Sequence, residues 1–287
     1  MKSYLSLIKF SHTIFAMPFA MLGFFLAVNS PGQSFSAKLL GLVVLCMVFA
    51  RSAAMAFNRY LDREYDSKNP RTAVREIPAG IISSRSALVF VLASSALFVI
   101  TTWFINPLCF YLSPIALLVI LGYSYTKRFT ALCHFVLGLG LSLAPIGAYL
   151  AVTGKFDLIP VLYSVAVLLW VSGFDIIYAL QDEEFDKSQN LFSIPTALGK
   201  KRALLLSSVL HAACVAIIYL AAWLVSQQFP AFGWLNWLAA LLFTALVFYQ
   251  HTLVKPDDLS KVNLAFFTTN GVASLLFGGL LILDFYV

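Results

Sequence analysis

Oxygen-bearing side chains recur at helical spacing in two stretches of this chain: Asn58, Asp62 and Asp66 in one, and Asp175, Tyr178, Asp182 and Asp186 in the other. Steps of three and four residues put side chains on one face of an α-helix. Each stretch, if helical, carries a column of oxygen ligands, about 12 Å long in the first case. Two facing columns of carboxylates suit one chemistry in particular: holding Mg²⁺ ions that in turn hold a diphosphate. The ordinary reading, a solvated helix end, fits less well. Arg59, Arg63 and Glu64 already place polar groups on the other faces of the first stretch. Negative charge at a helix C-terminus is also disfavoured by the helix dipole, so carboxylates there need a compensating cation.

Asp175 sits inside an apolar run, where an ionised aspartate costs about 2.5–3.5 kcal/mol. Alone it reads equally well as a polar residue paired within a bundle. In register with Tyr178, Asp182 and Asp186 it reads as part of a site, while Glu183 and Glu184 point elsewhere. Arg51 precedes Asn58 by seven residues, two helical turns, and so shares its face. Its planar guanidinium suits a carboxylate or phosphate deeper than the metal site; the alternative is an arginine neutralised by a buried acid or snorkelling outward. Arg75, and Lys127 with Arg128, are candidates for phosphate contacts, although membrane topology alone would supply such bases. Lys68, Arg71, Lys200, Lys201 and Arg202 read as topology determinants. His12 and His134 either approach the pocket or serve structural roles. Asn270 reads as a helix–helix hydrogen bond.

The elements that must position these residues are apolar. Of 287 residues, 61% are hydrophobic and 11% charged, and mean hydropathy is +0.88. A soluble domain carries about 25% charged residues, so the expected class is all-α, a multi-pass integral membrane protein surrounded by lipid bilayer. Apolar runs divide the chain into about nine spans, each near the roughly 20 residues that cross a bilayer. They fall at His12–Val28, Ala37–Phe57, Ala87–Ile105, Cys109–Leu121, Leu132–Val152, Leu158–Leu180, Ala203–Val225, Phe232–His251 and Val262–Phe285. The run after Lys2 and Lys9 resembles a signal peptide, but with further spans following, an uncleaved first helix is expected.

Basic residues crowd the loops after the second, fourth, sixth and eighth spans, from Arg59 to Arg85, at Lys127 and Arg128, from Lys187 to Arg202, and at Lys255 and Lys261; the opposite loops carry Lys38 and Lys155. The positive-inside rule then makes the N-terminus and the acidic motifs cytoplasmic. The net charge of +6 reflects this topology. It argues against nucleic-acid binding, because the bases do not form one patch. No protein partner is identifiable. Cys46, Cys109, Cys133 and Cys214 lack metal-ligand spacing and read as packing residues. The second and sixth spans both end in an acidic column, while the fourth and eighth end in aromatic-to-lysine segments, Tyr123 to Arg128 and Tyr249 to Lys255. One domain over residues 1–287 is expected, two four-helix halves plus a ninth helix, with both columns on one membrane face.

The segments Asn58 to Asp66, Asn69-Pro70-Arg71-Thr72, Tyr123 to Arg128 and Asp175 to Asp186 together resemble the UbiA superfamily of intramembrane aromatic prenyltransferases. The likeness covers nearly the whole chain. It implies a nine-helix bundle with a cavity open to the cytoplasmic side, in which Asn58, Asp62, Asp66, Asp182 and Asp186 bind Mg²⁺ and the diphosphate of a polyprenyl donor. By the same resemblance Asp175 and Tyr178 lead the second motif, Arg75 and Lys127 contact the diphosphate, and Tyr123 lies one turn before Lys127. Arg51 matches an arginine associated with the carboxylate of an aromatic acid. The quinone-pathway branch is the nearest in pattern, with 4-hydroxybenzoate or 1,4-dihydroxy-6-naphthoate as acceptor, in a bacterial inner membrane. His12 to Phe19 resembles the naphthoate subset, but both acids carry a carboxylate, so Arg51 does not separate them.

On this reading Mg²⁺, Arg75 and Lys127 neutralise the departing diphosphate, and the aromatic ring attacks the allylic cation. The rivals are a haem- or chlorophyll-type prenyltransferase of the same superfamily, a CDP-alcohol phosphotransferase, whose Asp-Gly and Ala-Arg signature is missing, and a secondary transporter. A transporter predicts polar groups continuing to the outer face, yet the outer halves of the spans are almost uncharged.

Overall fold

The computed structural model describes residues 2–7, 16–229 and 233–287. The chain folds as α1 (Lys2–Leu7), α2 (Met17–Val28), α3 (Ala37–Leu61), α4 (Arg63–Lys68), α5 (Ser84–Trp103), α6 (Pro107–Thr126), α7 (Cys133–Thr153), α8 (Leu158–Ala179), α9 (Glu183–Ser188), α10 (Ile194–Gln228), α11 (Trp234–Leu253) and α12 (Asn270–Leu283). A 3₁₀ turn, Leu180–Asp182, joins α8 to α9, and a π-turn, Leu264–Thr269, leads into α12. Among the described residues there is no β-sheet, only an isolated bridge between Lys255 and Asp258.

Among the described residues, seven helical stretches are long and apolar enough to cross a membrane: α3, α5, α6, α7, Leu158–Ser188, α10 and Leu264–Leu283. The described part of α2 is shorter, and α11 falls outside that set. Several helices begin at a polar cap that satisfies first-turn amides which lipid cannot. The Asn106 side chain accepts from Cys109 N at 2.8 Å and donates to Leu150 O at 2.9 Å, fixing the start of α6 against α7. Ser193 and Thr196 form a capping box that starts α10.

These caps revise two expected spans. α6 runs from Pro107 to Thr126, well beyond Cys109–Leu121, because Ser124 and Thr126 pack into the protein rather than ending the helix. α10 begins at Ile194, ahead of Ala203, and turns sharply at Gly199, whose φ of +75° favours glycine. The expected first span begins at His12, which lies outside the described residues, as does Phe232 at the start of the eighth.

α8 packs between α7 and α10 and is largely buried. Trp170 on α8 anchors an aromatic cluster with Phe19, Phe243 and Phe277. Its Nε1 donates to Asn270 Oδ1 at 3.1 Å, the helix–helix bond expected of Asn270. Gly173 gives room to His211, whose ring a Cβ there would overlap. Outside the bundle, large apolar side chains such as Leu92, Leu118, Leu205 and Val209 stand exposed, the surface of a protein that meets lipid.

Candidate active site

α3 and α8 each carry one motif, and each helix breaks at an aspartate of that motif. Asp62 closes α3 with φ −87° and ψ 5°, and α4 follows. Asp182 ends the 3₁₀ turn with φ −100° and ψ 2°, and α9 follows. The expected unbroken columns are therefore jointed. Both aspartates occupy the sparsely populated bridge region, in which active-site residues are often found. The joint at Asp62 turns Asp66 inward, beneath the loop that follows: Thr72 Oγ1 donates to Asp66 O at 3.0 Å, and the Asp66 side chain is buried.

Both motifs line one cavity of about 950 Å³. α3 contributes Val43, Met47, Arg51, Met55, Asn58 and Asp62 along its length, and α6 contributes Tyr123 near Lys127 and Arg128. The site residues expected from sequence are all among the lining residues: Arg51, Asn58, Asp62, Asp66, Arg75, Tyr123, Lys127, Arg128, Asp175, Tyr178, Asp182 and Asp186.

Asp62, Asp66, Asp182 and Asp186 each meet a basic residue. Arg71 Nη2 reaches both carboxylate oxygens of Asp182, at 2.9 and 2.7 Å, and Nη1 donates to Tyr178 Oη at 3.2 Å. Arg75 Nη1 donates to Asp66 Oδ1 at 2.6 Å. Arg128 Nη2 lies 3.3 Å from Asp62 Oδ1 and donates to Leu61 O at 2.9 Å. Lys127 Nζ lies 2.8 Å from Asp186 Oδ1, although out of line for a hydrogen bond. The two motifs are thereby cross-linked, since Arg71 leaves the first motif's loop to hold the second motif's aspartate. Asn58 Nδ2 donates to Asp62 Oδ2 at 3.0 Å.

Burial raises the Asp62 carboxyl to about 6, Asp66 adds to the rise, and Arg128 opposes it. For Lys127 burial pulls downward, but Asp186 more than offsets it and the net shift is upward. Arg71 is likewise lowered by burial and raised, on balance, by Asp182.

The donor set fits a hard divalent cation. Asp66 Oδ2 and Asp186 Oδ2 are buried without a hydrogen-bond partner, an expensive arrangement for carboxylate oxygens unless a cation completes it. Among the described residues no three His, Cys, Asp or Glu side chains converge on one point. Mg²⁺ binds through one or two carboxylates with waters and substrate phosphates rather than in an all-protein cage, and the open oxygens of Asp66 and Asp186 are ligands of that kind.

Deeper in, Asp175 Oδ2 lies 2.7 Å from His134 Nδ1. Ile194 N donates to His134 Nε2 at 3.3 Å, so the proton assigned to the ring sits on Nδ1 and points at Asp175. Tyr178 stacks on Phe266 of the π-turn with ring centroids 4.1 Å apart. Arg51 Nε is buried and unpartnered.

Two expectations change. Arg71 is not merely a topology determinant, because its fork grips Asp182. Arg59 does not solvate an outer face; it is buried and lines the cavity. Asn69, which donates to Asp182 Oδ1 at 3.4 Å and accepts from Arg71 N at 3.0 Å, belongs to the same cluster. The signal for Asn69 and Arg71 was present in the Asn69-Pro70-Arg71-Thr72 segment, whose loop position masked it.

Comparison with known proteins places the chain in a family. Residues 16–272 match the UbiA prenyltransferase family. A 4-hydroxybenzoate octaprenyltransferase of Tolumonas auensis is 30% identical, over 81% of this chain and 79% of its own length. One from Nitrosomonas eutropha is 30% identical over 85% and 83%. Among solved structures, a UbiA homolog from Aeropyrum pernix K1 superposes with TM-score 0.83 at 33% identity, covering 96% of this chain and 98% of that one. A UbiA homolog from Archaeoglobus fulgidus bound to GPP and Mg²⁺ shares the fold, with TM-score 0.76 at 23% identity and coverage of 99% and 100%. This chain is a membrane-embedded prenyltransferase, and it belongs to the UbiA prenyltransferase family.

Proposed function

We propose that the protein transfers a polyprenyl group from a polyprenyl diphosphate to the ring of an aromatic carboxylic acid, 4-hydroxybenzoate or 1,4-dihydroxy-6-naphthoate, in quinone biosynthesis. The carrying observation is the meeting of four motif aspartates and four basic side chains in one cavity, with buried carboxylate oxygens of Asp66 and Asp186 left open. The relatives' names support the 4-hydroxybenzoate reading. Arg51, cationic and deep in the cavity, supports an acceptor that carries a carboxylate.

Asn58, Asp62, Asp66, Asp182 and Asp186 would hold Mg²⁺. When bound, Mg²⁺ supplies Lewis-acid stabilisation of the charge that grows on the diphosphate as its bond to the allylic carbon breaks. Arg75, Lys127 and Arg128 turn from their aspartates to the phosphate oxygens and share that charge. Arg51 holds the acceptor's carboxylate and so presents the ring to the allylic carbon. The carbon–oxygen bond to diphosphate breaks, the carbon–carbon bond forms, and the displaced ring proton passes to the diphosphate, which is released. The apolar walls around Met55, Leu137 and Phe174 keep water from capturing the cation.

The proposed setting is one domain over residues 1–287 in a bacterial inner membrane. Nine spans, counting α2 and α11 with the seven long apolar stretches, carry a cavity facing the cytoplasm. The excess of basic residues near both motifs supports that orientation. Purified protein, Mg²⁺, a polyprenyl diphosphate and either acid, followed by mass spectrometry of the lipid product, tests the reading. A prenylated acid with matching diphosphate release is expected; release without an aromatic product, or no release with either acid, contradicts it.

A further inference from the structure

We infer that Arg59 is a further diphosphate-binding residue, an inference that rests on the prenyl-transfer reading above. Arg59 lies in the last turn of α3, is only 5% exposed, and lines the cavity. Its Nε is buried with no hydrogen-bond partner. Among the described residues it makes no ion pair, whereas Arg71, Arg75, Lys127 and Arg128 each meet an aspartate. A guanidinium does not lose its proton in proteins. A buried cation without an ion-pair partner is unfavourable, so its retention beside a cavity points to an anionic ligand.

The position selects which anion. Asp66, Arg75 and Glu76 are among the charged neighbours of Arg59, which places it at the end of the cavity where the motifs meet. Arg51, the receptor assigned to the acceptor's carboxylate, lies eight residues earlier on α3, about 12 Å deeper. The two unpaired arginines thus serve different anions. Arg75 and Arg128 must release a carboxylate before they can turn to phosphate, but Arg59 has none to release. It is the fork that an arriving diphosphate meets without first breaking a protein ion pair.

The test is calorimetric titration of the purified full-length protein with inorganic pyrophosphate at saturating Mg²⁺, alongside KM values for donor and acceptor. Arg59→Met is expected to weaken pyrophosphate binding by roughly tenfold or more, the scale of a charge-assisted hydrogen bond. It should raise the donor KM in parallel and leave the acceptor KM within about twofold. Pyrophosphate binding equal to wild type in folded Arg59→Met overturns the inference. So does a loss spread equally over pyrophosphate and acceptor with a lowered unfolding temperature, which marks a structural role. Should Arg59→Met not fold, Arg59→Lys decides: losing the planar fork weakens pyrophosphate several-fold, and an unchanged affinity overturns the inference. If wild type itself fails to bind Mg²⁺ and pyrophosphate, the prenyl-transfer reading falls and this inference with it.

Discussion

Asp62 and Asp182 adopt nearly the same backbone conformation, φ −87°, ψ 5° and φ −100°, ψ 2°, each at the joint between a motif-bearing helix and a six-residue one. Residues on both sides of each joint line the cavity: Asn58, Asp62 and Asp66 at one, and Tyr178, Asp182 and Asp186 at the other.

The Arg71–Asp182 pair joins the two walls, and its bidentate geometry depends on the guanidinium plane. Arg71→Lys keeps the charge and loses the fork. Because Arg71 is about a third exposed, the stability loss is expected to be small, about 1 kcal/mol or less. Prenyl transfer should fall more, roughly tenfold, because Asp182 is no longer held in place. Thermal unfolding and initial rates on the same preparation check this.

The protein's own cations compensate its aspartates before any metal arrives. Mg²⁺ alone must compete with Arg71, Arg75, Lys127 and Arg128, whereas Mg²⁺ with pyrophosphate gives those cations a new partner. Pyrophosphate is expected to tighten Mg²⁺ binding by roughly tenfold or more, and Mg²⁺ to tighten pyrophosphate by the same factor. Calorimetric titrations in both orders measure the coupling; independent binding contradicts it.

Burial and Asp66 hold the Asp62 carboxyl up at about 6. A metal ligand must be deprotonated, so cation and proton compete for this group. More than about one unit above that value the carboxylate is available and Mg²⁺ affinity should be flat. As pH falls below about 6, affinity should weaken by up to tenfold per unit. Asp62→Asn should remove this pH dependence along with most of the affinity.

His134 is buried between Asp175 and the first amide of α10. His134→Ala leaves Asp175 without its donor and the buried Ile194 N without its acceptor, at a cost of about 1–3 kcal/mol for the unpaired amide. A lower unfolding temperature together with reduced turnover is expected. His134→Asn, which can still donate toward Asp175, should recover part of both.

The sequence made the membrane class and the two motif helices legible for a physical reason. Long apolar runs and acids at steps of three and four have few other uses, and Asp62, Asp66, Asp182 and Asp186 indeed line one cavity. What stayed hidden depends on non-local geometry. Arg71 pairs with an aspartate 111 residues away, a partner that its place in a basic loop does not reveal. Arg59 lies between residues that face the cavity, so helical periodicity assigned it to the outer face; burial at the end of α3 reverses that. The joint at Asp182 lay within apparent helical periodicity, because a 3₁₀ turn leaves little mark on the spacing. α6 outran its apolar core because Ser124 and Thr126 are buried polar residues, which a hydropathy reading takes for an end.

The central claim is that both aspartate motifs act together on one Mg²⁺-held diphosphate. The most direct measurement is the rate of Mg²⁺-dependent diphosphate release, with donor and acceptor present, from Asp62→Asn and Asp182→Asn variants whose unfolding temperatures match wild type. Each is expected to lose about a hundredfold or more, the scale of removing a group that stabilises the leaving charge. Near-wild-type turnover in either folded variant contradicts the account.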